Sequence, residues 1–157
     1  MKGVAGWLRK RAWARQGAIL RKGTRVENAR FEGTAVLEPD CRVVGDPEVV
    51  FGDNFYMNAY SDVRGDVVFG RDVLLGPKVV IWDRCDPATA AERGERAPVR
   101  IGDDVWIAAS CVVTGGVEIG TGSVVGAGSV VIEDVPPQSI VVGNPARVVR
   151  RRDEPPR

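Results

Sequence analysis

A period of six residues runs through this chain, and it excludes most folds before composition is considered. Phe51, Met57, Val63, Phe69, Leu75 and Ile81 stand six apart. Two residues earlier in each hexad lies a second column: Phe31, Leu37, Val43, Val49, Phe55, Ser61, Val67, Val73 and Val79. After a break the columns resume as Ile101, Ile107, Val113, Ile119, Val125 and Val131, accompanied by Val99, Val105, Cys111, Val117, Ser123 and Ser129. Six is a multiple of two and not of 3.6, so these residues line one face of extended chain and would spiral around a helix. Glycine follows the long residue at Gly52, Gly70, Gly76, Gly102 and Gly120, where it permits a tight corner. The spacing therefore predicts short strand, corner, short strand, with three hexads to a triangular coil and coils stacked about 4.8 Å apart. An antiparallel sandwich of short strands would tolerate irregular spacing, and two columns held in register argue against it.

The period breaks at "VIWDRCDPAT", residues 80 to 89. Ile81 and Ile101 stand twenty positions apart, two more than three hexads need, and the segment between them is polar. It must leave the wall as a loop over residues 83–98. Loops on rigid scaffolds are where function concentrates; the alternative is a tolerated insertion. Beyond Val131 the chain leaves the coil through Pro136 and Pro137 and is expected to return along its side. The resulting division is a basic cap segment over 1–25, the coil with its loop over 26–135, and a C-terminal extension over 136–157.

A length of 157 residues suits one domain. No apolar run approaches a membrane span, and no leader pattern opens the chain. Three widely spaced cysteines, Cys41, Cys85 and Cys111, make neither a disulfide framework nor a metal motif, and reduced thiols fit a cytoplasmic protein. Charge is uneven: residues 1–25 carry eight Lys or Arg and no acid, whereas 26–146 carry nine basic and nineteen acidic residues. The basic N-terminus could touch an anionic membrane surface or a polyanion; a solvated cap is the preferred reading, and no nucleic-acid module is present.

The stretch "VRIGDDVWIAASCVVTGGVEIGTGSVVGAGSVVIEDVPPQSIVVGNPARVV" resembles the hexapeptide-repeat acyltransferases, in particular their maltose, galactoside and polysaccharide O-acetyltransferase branch. The order "GDDVWI", "GAGSVV", "GNPAR" carries the resemblance, which extends back at least to "FGDNFYMNA". It implies an all-β, left-handed parallel β-helix of hexapeptide repeats, with a protruding loop and short N- and C-terminal extensions. It also implies a homotrimer with active sites in clefts between subunits, acetyl-CoA as acyl donor, no metal, and a sugar or amino sugar as acceptor. By the same resemblance Asn58 contacts the substrate and Trp106 lies beside the thioester end of the donor. Ala109 and Ala127, with Gly128 beside it, meet the pantetheine arm, and Arg147 and Arg150 lie near the nucleotide phosphates, where guanidinium groups form charge-assisted hydrogen bonds.

Two departures stand out. Where the family carries a catalytic histidine before proline, an ungapped alignment from "GPKVVIW" places Asp86, followed by Pro87; the chain contains no histidine. Where the family usually has lysine, "VIEDVPP" has Glu133. Acetyl transfer to a hydroxyl needs a group that takes the proton and donors that hold the oxyanion. Aspartate, near 3.9, is a weaker base than histidine, near 6.5, though burial would raise it. Asp83, three residues before, is expected with Asn58 and Trp106 among the substrate-binding residues, and its carboxylate would couple to that of Asp86. An amine acceptor needs less help. Cys85 has no nearby His or Lys in sequence to form a thiolate, and an ordinary exposed thiol is preferred. The zinc site of the γ-class carbonic anhydrases, which share the coil, needs three histidines and cannot form here.

Overall fold

The computed structural model describes residues 13–84 and 90–153, apart from the side chains of residues 90 and 93. The chain winds as a parallel β-solenoid with three faces. Face one stacks β1 (Ala18–Leu20), β3 (Ala35–Leu37), β5 (Phe55–Met57), β7 (Leu74–Leu75), β10 (Trp106–Ile107), β13 (Val124–Val125) and β15 (Ser139–Gly143) in parallel. It is finished by β16 (Ala146–Arg151), which returns antiparallel on β15. Three longer strands, β2 (Arg25–Phe31), β4 (Arg42–Phe51) and β6 (Asp62–Phe69), each pass through a corner and serve two faces. Their first halves build face two with β8 (Val80–Trp82), β11 (Val112–Val113) and β14 (Val130–Val131). Their second halves build face three with β9 (Val99–Ile101) and β12 (Glu118–Ile119). Parallel pairing already begins at Ala18, inside the segment expected as a cap, and continues through β15 beyond Pro137.

Inward side chains from the three faces meet in one core. Leu75 and Ile107 come from face one, Val63 and Ile81 from face two, Phe51 and Phe69 from face three, and all are buried. Because identical positions stack, Phe31, Phe51 and Phe69 form a ladder of nearly parallel rings with centroids 4.8 and 5.3 Å apart, and Phe55 tilts against two of them. Buried serines are bonded to the wall itself: Ser61 Oγ donates to Gly76 O at 3.0 Å and accepts from Val79 N at 3.1 Å. Among the described residues no buried side-chain polar atom lacks a partner, and no helix is long and apolar enough to cross a membrane.

The structure corrects the columns in two places, both on the edge between faces two and three. Phe31 pairs with Phe51, Leu37 with Met57 and Val43 with Val63, so these three belong to the column of long residues and not with Val49 and Phe55. The slip arises because β4 takes Asp46, Pro47 and Glu48 to pass from Gly45 to Val49, where β6 needs only Asp66 between Gly65 and Val67. The second departure is the loop. The step from face two to face three takes six residues from Val63 to Phe69 and from Val113 to Ile119, but twenty from Ile81 to Ile101. The loop is thus a fourteen-residue insertion at one corner of a single coil. An antiparallel bridge between Arg84 and Arg96 closes its base, and its described residues include a helical turn, α1 (Ala90–Arg93).

Corners are close-packed. A Cβ on Gly52 would stand 2.3 Å from Gly70 O and 2.5 Å from its carbonyl carbon. That atom belongs to the next coil's backbone, which cannot retreat without opening the ladder, so Gly52→Ala is expected to cost about 1–3 kcal/mol, read as a lower urea midpoint. At the same edge Asp53 Oδ1 accepts from Thr34 N (2.7 Å), Thr34 Oγ1 (2.9 Å) and Asn54 N (2.9 Å). The Thr34 amide above all, with these other donors, holds the Asp53 carboxyl below the usual carboxylate range. A folded pKa below the unfolded one contributes stability that is complete above the unfolded value, about 4, and lost as pH falls through the folded value. Asp53→Asn is therefore expected to flatten the acid side of the stability–pH profile measured by denaturant titration.

Candidate active site

The two departures from the period enclose a cleft. It has a volume of about 490 Å³ and is lined by Val44, Asp46, Arg64, Gly65, Trp82, Asp83, Arg84 and Arg96. Strand register explains the wall: Val44, Arg64 and Trp82 are outward residues at the same position of successive coils. The Arg64 guanidinium lies over the Trp82 ring, 4.8 Å from its centroid, and is held there by both oxygens of Asp62. Trp82 remains 38% exposed, an apolar platform at the cleft mouth. Asp83 is buried at the floor, where its carboxylate receives Arg96 Nε at 3.3 Å; Arg96 also reaches Asp46 at 2.7 Å.

The edge between faces one and two gathers a second set. Asn58 stands at one of its corners, Ala109 two coils on past the corner of Gly76 and Pro77, and Ala127 and Gly128 at the next, where Gly128 N donates to Ala109 O at 2.9 Å. The Asn58 side chain is half-buried, its Oδ1 accepting from Ala59 N at 2.8 Å. Gly128 has φ +72°, and a Cβ there would meet nothing within 4 Å, so the edge is open beside it. Trp106 lies on the adjoining strand of face one, 52% exposed, between Leu74 and Val124 of the neighbouring coils. Arg147 and Arg150 sit above on β16. Arg147 pairs with Glu133 at 3.2 Å, so a residue expected near the phosphates is in contact with the glutamate that stands where the family usually has lysine. Small corner residues, a flat indole and cations above fit a narrow ligand arm carrying phosphates. Face two separates this set from Asp83. Asp86 and Cys85 lie outside the described residues.

Residues 98–133 match the family model for bacterial transferase hexapeptide repeats (six repeats). The galactoside O-acetyltransferase of Escherichia coli is 36% identical over 122 residues, 74% of this chain and 60% of that protein. A putative acetyltransferase of Saccharomyces cerevisiae is 36% identical over 125 residues, 76% of this chain and 64% of that one. The chain belongs to the hexapeptide-repeat family, in its galactoside and maltose O-acetyltransferase-like branch. Among solved structures, a galactoside acetyltransferase in complex with coenzyme A matches this hexapeptide-repeat chain with a TM-score of 0.66 at 28% identity, covering 94% of this chain and 72% of that one. A maltose O-acetyltransferase from Clostridium difficile matches at 0.57 and 28%, covering 92% and 75%. This hexapeptide-repeat chain spans only 53 to 64% of the length of the first curated relatives it matches.

Sequence reasoning missed Asp46, Arg64, Trp82 and Arg96. The signal was available for two of them: Arg64 and Trp82 stand eighteen residues apart, one coil, and both alternate outward from core positions. Asp46 and Arg96 gave none, because each lies where the period fails. Cys41 and Cys111 are buried, and burial pushes both thiols up, which suits packing rather than nucleophilic chemistry. Among the described residues no group of His, Cys, Asp or Glu is placed to hold a metal ion.

Proposed function

We propose that this chain is a CoA-dependent acyltransferase that transfers acetyl to a hydroxyl or amine of a sugar or similar small acceptor. The observation that carries this reading is the match along 94% of the chain to a galactoside acetyltransferase holding coenzyme A. The open corner beside Gly128, with Trp106 and the β16 arginines, supports a donor site. The cleft at the loop base supports an acceptor site of the size of a small sugar. In this reading Asp86 takes the proton as the acceptor attacks the thioester, the thiol of CoA leaves, and the acetyl ester or amide remains on the acceptor.

The donor edge and the acceptor cleft lie on opposite sides of face two, and a homotrimer would bring one subunit's edge against another's cleft. Outward residues support association there: Leu74, Trp106 and Val124 on face one and Val80, Trp82 and Val112 on face two are apolar, with the Asp62–Arg64 pair beside them. The cytoplasm, where CoA and reduced thiols coexist, is the compartment assigned. A catalytically silent binding protein is the second reading, favoured by the absence of histidine and by Glu133 on Arg147. Calorimetric titration with CoA, together with light scattering, tests the proposal. Saturable binding to a trimer is expected; a monomer, or no heat from CoA or acetyl-CoA, would overturn it.

A further inference from the structure

Asp83 is the one carboxylate among the buried side chains of the described residues. Burying a carboxylate is costly unless it is paired and hydrogen-bonded, and the sequence at this point could have kept a serine, as Ser61 and Ser129 do elsewhere in the wall. What the charge does is visible in its partners. The Asp83 backbone donates to Arg64 O at 3.2 Å, and its carbonyl accepts from Ala97 N at 2.7 Å, so Asp83 joins the outgoing and returning ends of the loop. Its carboxylate receives Arg96 Nε, on the returning end, and Asp66 N from the coil before it. Gly115 N donates to Arg84 O at 2.8 Å and Gly116 N to Ala97 O at 3.0 Å, so the coil after it grips both ends as well.

The two flanking coils leave room for this arrangement with glycine. A Cβ on Gly65, whose φ is +94°, would stand 2.0 Å from the Asp83 carboxyl carbon, and one on Gly115 would stand 2.2 Å from the Asp83 carbonyl oxygen. Arg96, fixed from below by Asp83, extends across the cleft to Asp46 on the other irregular corner. Arg84 is bridged to Arg96, and Trp82 directly precedes Asp83 in the chain. One buried charge thus holds Arg96, a side chain that lines the cleft, at the point of the backbone from which Trp82 and Arg84 project.

We propose that Asp83 is a positioning residue for acceptor recognition: with Arg96 it locks the loop neck, and thereby fixes Trp82, Arg84 and Arg96 around the cleft. The proposal rests on the acyltransferase reading for its kinetic consequence but not for the lock. Asp83→Asn keeps the shape and removes the charge. It is expected to lower kcat/KM for the acceptor about ten-fold or more, mainly through KM, while KM for acetyl-CoA and the melting temperature stay near wild type. Trypsin cleavage within 84–96 should accelerate about ten-fold. Asp66→Asn, which breaks a half-buried ion pair with Arg100 at the same edge, should change neither. A folded Asp83→Asn protein with wild-type acceptor KM and wild-type cleavage overturns the proposal, as does an equal rise in both KM values. If Asp83→Asn does not fold, Arg96→Gln is judged by the same two readouts. If wild type releases no thiol with any acceptor, the acyltransferase reading fails, and the cleavage rates alone decide the lock: equal rates sink it, acceleration supports it.

Discussion

Replacing Phe51 by alanine is expected to cost roughly 3–5 kcal/mol of stability. Its ring is fully buried and touches three others, stacking between Phe31 and Phe69 and meeting Phe55 at 4.6 Å. A parallel solenoid cannot collapse onto the hole, because the coil spacing is fixed by backbone hydrogen bonds on all three faces, and the loss therefore includes most of the cavity term. Each coil is stabilised mainly by its neighbours, so the coils of β2 and β4 should loosen first. Guanidinium unfolding followed by circular dichroism should show a large drop in midpoint; a change below 1 kcal/mol, well under the range for a buried Phe→Ala, would contradict the packing described.

Asp86→Ala is expected to lower turnover on a hydroxyl acceptor about 10²-fold or more. A hydroxyl must lose its proton as it attacks, and in the proposed site no other group at the family's histidine position can take it. A neutral amine carries a free lone pair, so the same substitution should cost less with an amino sugar. Asp86→His restores a base whose pKa lies nearer to neutrality and should raise turnover on hydroxyl acceptors above wild type. Initial rates at saturating acetyl-CoA for the three proteins decide this; an alanine variant as fast as wild type would remove Asp86 from the chemistry.

The period of six made the coil legible because a wall position needs an apolar inward side chain at every second residue and a corner every sixth. It was blind to an insertion that leaves the spacing of six intact. Val43 and Val49 are six apart and both buried, yet Val43 ends a face and Val49 begins the next, because Asp46 to Glu48 add two residues between them. Spacing alone keeps the register there, and only the pairing partner reveals the slip. The donor-side residues could be placed from motifs, since Trp106, Ala109 and Gly128 lie in unbroken repeats. The cleft could be placed only in part, because Asp46 and Arg96 belong to irregular corners and to the partners of a buried charge. Arg96 finds Asp83 through the folded loop, across thirteen positions that carry no periodic signal.

The most direct measurement is release of CoA thiol from acetyl-CoA by the wild-type protein, run against a panel of neutral sugars, amino sugars and a no-acceptor control. Acceptor-dependent release is expected, with the acetylated acceptor found by mass spectrometry in equal amount. Release that does not depend on any acceptor, or no release at protein concentrations where CoA is bound, would contradict the proposed function.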